Sequence, residues 1–143
     1  MTNNGEPDVI GILAGSHCRL AHEMLGVAEL IVGPLKQCKA ISLDLDEDVE
    51  EMTRQVQESI REVDSGKGVL ILTDLFGGTP ANISMAFLGP RVEVVCGMNL
   101  PMLIKLAGCR GQLSLEKAAE QVKEYGQRHI SRASEVLTRS LTI

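Results

Sequence analysis

The sequence predicts an α/β fold, a mainly parallel doubly wound sheet with helices on both faces. Three observations carry this. Apolar runs of strand length alternate along the chain with longer segments of helical periodicity. The strand-like runs show no apolar–polar alternation, as expected where both faces of a sheet are covered. Glycine and proline mark several of the junctions. At 143 residues the chain suits one domain, residues 1–143, and with 44% hydrophobic residues it can bury a core. Aromatics make up only 2%, so that core has to come from Val, Ile, Leu, Met and Ala.

Taken in order, Val9–Gly15 (VIGILAG) reads as a buried strand. From Cys18 to Gly33, the residues Leu20, Met24, Val27 and Ile31 recur three or four apart, the spacing of one helix face. Gly33-Pro34 ends that helix. Cys38–Leu45 is a second strand. Val49, Met52, Val56, Ile60 and Val63 then define an amphipathic helix, for which Asp46 is a suitable N-cap. Gly66 and Gly68 turn the chain into Val69–Asp74, the most continuously apolar strand. A shorter helix is expected from near Pro80, since proline is tolerated in a first turn. Arg91–Cys96 is a fourth strand, a brief helix follows Pro101, and Leu115–Tyr125 is the last clear helix. Beyond Gly126, Ile130, Ala133, Leu137 and Leu141 are spaced like a helix, in a short terminal stretch. Strand–helix alternation with right-handed crossovers makes the sheet parallel.

Composition excludes several function classes. Lys plus Arg number 14 against 19 Asp plus Glu, a net charge of −5, which counts against general nucleic-acid binding. The first apolar run, Val9 to Ala14, is too short to cross a bilayer, and no basic region precedes it. No membrane insertion and a cytoplasmic location are therefore expected. The four cysteines (Cys18, Cys38, Cys96, Cys109) form no CxxC and read as reduced thiols.

In an open α/β sheet, ligands collect beyond the carboxyl ends of the strands, where connections diverge. Two such ends carry unusual residues. The first strand ends in AGSH, which places His17 at or just before a helix start. The third ends in TDLFGGTPAN, which places Asp74 at the strand end and Gly77, Gly78 and Thr79 before another helix. If these strands are neighbours, His17 and Asp74 meet across a crevice ringed by backbone N–H groups that favour an anion. A carboxylate on one imidazole nitrogen leaves the other free to attack, which suggests phosphoryl transfer through phosphohistidine. The same residues also fit a local cap, a helix-entry carboxylate and an ordinary glycine turn.

Three segments, GILAGSH at Gly11–His17, KGVLILTDLFGGTPAN at Lys67–Asn82 and CGMNLPML at Cys96–Leu103, are jointly specific. Through them the chain, from about Val9 to Tyr125, resembles the enzyme IIA domain of the mannose-type sugar phosphotransferase system. The resemblance implies a flavodoxin-like sheet and a phosphotransferase role. It implies that His17 accepts a phosphoryl group from the phosphocarrier HPr and passes it to a IIB component for sugar uptake. Asp74 would hold that histidine, and Gly77, Gly78, Thr79 and Ser16 would approach the phosphoryl group. Phe76, Met98 and Asn99 are candidates for the rim of the site, although the Met98–Met102 stretch also fits a purely structural turn. Relatives form homodimers, often by exchanging a C-terminal strand. The helical spacing after Gly126 departs from that strand pattern. The given sequence ends before a IIB domain, so a IIB partner is expected in trans.

Other chemistries fit less well. Cys18 and His22 stand four apart and could share a metal-ligand face. His17 and His22 are five apart, roughly 140° around a helix, and no further pair completes a site. No cofactor is expected. Adjacent Ser16 and His17 do not point at one another, and there is no GxSxG elbow for a hydrolase. GKGV around Lys67 lacks P-loop spacing, so the phosphoryl donor is expected to be a protein and not a nucleotide. Cys18 beside His17 is either a reactive thiol or a small residue tolerated there. His22 and His129 read as surface or helix residues. A regulatory phosphorylation-state sensor that binds a partner without feeding transport is the alternative function. Ile130, Val136, Leu137, Leu141 and Ile143 need cover, and a second subunit of a homodimer is the expected source.

Overall fold

The computed structural model describes residues 8–44 and 46–141. Among these residues, β1 (Gly11–Ser16), β2 (Cys38–Ser42), β3 (Val69–Thr73) and β4 (Val92–Cys96) form one parallel sheet in the order β2-β1-β3-β4. This is the 2-1-3-4 order of flavodoxin-like sheets, and it reverses direction between β1 and β3. Six helices accompany it: α1 (Leu20–Val32), α2 (Val49–Val63), α3 (Thr79–Met85), α4 (Leu100–Cys109), α5 (Leu115–Arg128) and α6 (Ala133–Leu141).

Every residue of β1 and β3 is buried, which explains the unbroken apolar runs. The twofold period survives in direction rather than polarity. Ile12, Ala14, Leu70 and Leu72 join Ala21, Ala28, Leu103, Leu106 and Val122, from α1, α4 and α5, on one face. Leu13, Ile41, Val69 and Ile71 join Met52, Val56, Val63 and Ile83, from α2 and α3, on the other.

The structure corrects several local expectations. Asp46 does not cap α2; Asp48 does, with its carboxylate accepting the Glu50 N–H, because the helix starts two residues later. The brief helix does not wait for Pro101. It begins at Leu100 with Asn99 as N-cap, and Pro101 sits inside the first turn, where its missing N–H costs nothing. Helix α1 starts at Leu20, not Cys18, leaving His17–Arg19 as a turn. Its inner face is also not the one the spacing selects. Ala21, Leu25 and Ala28 face the core, whereas Leu20, Val27 and Ile31 of the Leu20–Met24–Val27–Ile31 stripe are exposed. Small alanines let this helix approach the sheet closely, and such residues give weak hydrophobic signals. The segment after Gly126 continues α5 to Arg128 and then forms α6, the helical alternative. Ile130 and Leu137 are exposed. Leu45, Ile143 and the Leu141 side chain lie outside the described residues.

An apolar groove of about 390 Å³ follows the outer edge of β4, walled by Phe76, Leu88, Val94, Cys96, Met102 and Ile130 among others. At that edge the Glu93 carboxylate accepts the Val94 N–H at 2.9 Å, placing a charge where a flat edge would otherwise invite pairing.

Candidate functional site

Residues His17 and Asp74 follow directly on β1 and β3, which are hydrogen-bonded neighbours with Gly15 opposite Thr73. The two therefore emerge side by side where the strand order reverses, the place where such sheets open a crevice. Asp74 Oδ2 lies 2.9 Å from His17 Nδ1 and also accepts the His17 backbone N–H at 3.0 Å. One carboxylate oxygen thus grips both the ring and the main chain of the histidine. The Asp74 side chain is 10% exposed and that of His17 35%, so the carboxylate forms the floor and the ring reaches into solvent. A carboxylate only accepts hydrogen bonds, so Nδ1 carries the proton and the Nε2 lone pair points away from Asp74. Asp74 Oδ1 is buried and has no partner among the described residues, so the bonding of this side chain is devoted to His17.

The glycine loop closes the other side of the ring. A Cβ added to Gly78 would lie 2.9 Å from His17 Cε1 and 3.5 Å from Nε2, so only glycine leaves the imidazole its space. Gly77 has φ 86°, the left-handed region that glycine enters without strain. Thr79 opens α3 and Gly78 is its N-cap, so the start of that helix lies beside His17 Nε2.

The remaining sequence candidates separate. Phe76 is 73% exposed in the loop after Asp74 and lines the β4-edge groove. Met98 is no rim residue: it is buried in the core under α4 and α5, because Gly97 and Met98 both donate backbone N–H groups to the Thr73 carbonyl. Asn99 is spent on structure, capping α4 through Met102 N–H and donating from Nδ2 to the Gly126 carbonyl. Ser16 is fully buried, and its hydroxyl accepts the Ala21 N–H at 2.7 Å and donates to the His17 carbonyl. It holds the start of α1, where Arg19 offers no side-chain cap, and it does not reach the crevice.

Two groups that the sequence did not single out stand on the β2 side of His17. Asp44 Oδ1 accepts the Cys18 N–H at 2.9 Å, and Ser42 Oγ donates to the Cys18 carbonyl at 2.5 Å. The signal available was the one that found Asp74, an acidic residue at the carboxyl end of a strand beside β1. Cys18 lies before α1 in a left-handed conformation (φ 49°), so it and His22 do not share a helix face. Among the described residues no cluster of three His, Cys, Asp or Glu side chains is placed to hold a metal ion. Burial pushes the Cys38 thiol up to about 12, against the pull of nearby Arg110, so that sulfur stays protonated.

Comparison with known proteins gives the family. The sequence model of the EIIA-man family, described as the PTS system fructose IIA component, matches residues 11–123. The chain is 28% identical over 125 residues to the phosphotransferase enzyme IIA component YadI of Escherichia coli K12, covering 86% of each chain. It is 27% identical over 136 residues to the mannose-specific EIIAB component of the same organism, of whose length it spans only 42%. The crystal structure of the PTS IIA protein associated with the fucose utilization operon of Streptococcus pneumoniae superposes with a TM-score of 0.80 at 28% identity, covering 92% of this chain and 98% of that one. With the family match spanning all four strands and both strand ends that carry His17 and Asp74, the chain belongs to the EIIA-man family of phosphotransferase-system IIA components and has a role in sugar phosphotransfer.

Proposed function

We propose that His17 accepts a phosphoryl group from phospho-HPr on Nε2 and passes it to a IIB component for sugar uptake. The observation that carries this reading is the 2.9 Å bond between His17 Nδ1 and Asp74 Oδ2, which commits one ring nitrogen and frees the other. In the first transfer the Nε2 lone pair forms a bond to phosphorus while the bond to the donor breaks, its electron pair leaving with the donor. The ring then carries positive charge, and Asp74 stabilises it through the Nδ1 hydrogen. The second transfer reverses these roles: the acceptor attacks phosphorus and His17 leaves as a neutral imidazole.

Backbone N–H groups of Gly77, Gly78 and Thr79, with the Thr79 hydroxyl, supply the phosphoryl oxygens with donors beside Nε2. Ser16 has no part in this cradle, since its hydroxyl is already bonded inside the fold. Exposed Leu20, Leu75 and Phe76 near the ring favour a protein surface as the phosphoryl partner. No helix among the described residues is long and apolar enough to cross a membrane; in this reading the domain works in the cytoplasm, where HPr and the IIB component would meet it. The β4-edge groove, together with exposed Ile130 and Leu137, supports a homodimer in which the region after Gly126 packs on the second copy. No cofactor enters the scheme.

Incubation with phosphoenolpyruvate, enzyme I and HPr tests the reading. The chain takes up an acid-labile, base-stable label, and His17→Ala abolishes it. A label that survives in His17→Ala sinks the assignment.

A further inference from the structure

We propose that Asp44 and Ser42 are positioning residues: they hold the Cys18 peptide in a left-handed turn and thereby aim the His17 imidazole at Asp74. This rests on the reading of His17 as the phosphoryl acceptor. The starting observation is Cys18 itself, a residue with a Cβ at φ 49°, a conformation that residues other than glycine, asparagine and aspartate seldom adopt. Such a conformation persists only where the surroundings over-determine it. Here they do. The Cys18 N–H goes to Asp44 Oδ1 at 2.9 Å, and the Cys18 carbonyl takes the Ser42 hydroxyl at 2.5 Å. Both polar groups of one residue are therefore held by side chains from the end of β2.

The preceding amide is treated in the same way from the opposite side, since the His17 N–H goes to Asp74 Oδ2 at 3.0 Å. Two successive peptide N–H groups are drawn to two aspartates, one just beyond the end of each strand flanking β1. The anchor on the β2 side is firm. Ser16 pairs with Ser42 in register, and Leu43 N–H donates to the Ser16 carbonyl at 2.9 Å, so β1 and β2 stay joined up to the residue before the histidine. The Ser42 hydrogen is given to Cys18, so the contact at 3.5 Å from His22 Nδ1 has to be an N–H donated by His22, which steadies the hydroxyl from behind. If Cys18 relaxes out of the left-handed region, the peptide before it rotates and the His17 Cα–Cβ bond swings with it. Asp74 alone grips the ring at one point; the clamp at Cys18 sets the direction from which the ring arrives.

The test uses the full chain with Asp44→Ala, Asp44→Asn, Ser42→Ala, and Cys18→Gly added to Asp44→Ala. Two readouts are taken: the nitrogen-15 shifts of the His17 imidazole, and the single-turnover rate and KM with phospho-HPr. In the wild type the shifts report a proton held on Nδ1. Asp44→Ala and Ser42→Ala move them toward the averaged values of a free imidazole, and the transfer rate falls about tenfold with KM unchanged. Asp44→Asn keeps an acceptor oxygen and retains most of the rate. Cys18→Gly restores the shifts and the rate in the Asp44→Ala background, because glycine enters the left-handed region without a clamp. Wild-type imidazole shifts in Asp44→Ala overturn the inference, as does an equal loss in Asp44→Asn or a failure of Cys18→Gly to rescue. A wild-type chain that shows the held Nδ1 proton but takes no label overturns the acceptor reading instead, and the shifts alone then decide the positioning role.

Discussion

Replacing Gly78 with alanine isolates the steric fit between the glycine loop and the His17 ring. Gly78 has φ −83° and ψ 171°, an extended conformation open to any residue, so alanine brings no backbone strain. The only consequence is the added methyl, which would lie 2.9 Å from His17 Cε1. Carbon atoms rest at roughly 3.5–4.0 Å, so the ring and the loop have to separate by about 0.6–1.1 Å. The ring has little freedom to yield, since Nδ1 is bonded to Asp74 at 2.9 Å and the backbone N–H is held by the same oxygen. Misplacement of a reacting atom by that distance costs about tenfold to a hundredfold in rate, or roughly 1.4–2.7 kcal/mol of barrier. The assay is single-turnover labelling of His17 by phospho-HPr, with thermal unfolding as the control. We expect the labelling rate to fall by that factor while the unfolding midpoint stays close to wild type, because the loop is at the surface. Labelling at the wild-type rate would show that the loop yields freely and that the contact does not order the site.

Asp74→Asn keeps an acceptor oxygen for His17 but loses the charge opposite the phosphorylated ring; the same assay is expected to show substantially slowed transfer with the fold retained, and unchanged transfer would remove Asp74 from the site. Asp64 joins α2 to β3, and burial of its carboxyl is outweighed by Arg91 and by the N–H groups of Gly66 and Gly68, which hold it below its usual range. A depressed carboxyl contributes stability above its unfolded value and loses it as pH falls through the folded value. Asp64→Asn is therefore expected to lower the unfolding free energy measured by urea titration at neutral pH by about 1–2 kcal/mol, given the solvent access of Arg91, with the gap closing in acid. A gap that stays constant on acidification would show that charge has no part in that turn. Light scattering is expected to give a dimeric mass for the full chain and a smaller mass for a chain stopped at Gly126; a monomeric full chain refutes the dimer, and an unaltered dimer after truncation refutes the role of the tail.

The alternation of strands and helices, the parallel sheet and the placement of His17 and Asp74 at strand ends were all legible in the sequence. These features depend on local periodicity and on residues unusual for their position, a histidine and an aspartate closing two apolar runs. Helix α1 shows where that legibility stops. Its Leu20–Met24–Val27–Ile31 stripe is the stronger periodic signal, yet the chain buries Ala21, Leu25 and Ala28. Which side of a helix faces the sheet depends on how closely it can approach, and alanine achieves that without adding to hydrophobicity. Met98, Asn99 and Ser16 tell the same story at the site, because their fates depend on which hydrogen-bond partners other elements bring to them.

Alone, then, the sequence determined the fold class and which residues, His17 and Asp74, close the two neighbouring strands, since both rest on short stretches of chain. Only the tertiary structure decided which imidazole nitrogen is free, why position 78 has to be glycine, and that Ser42 and Asp44 grip the peptide after the histidine. Each of these is a contact between residues 24 to 61 positions apart. Sheet register and helix docking create such contacts, and no local pattern encodes them.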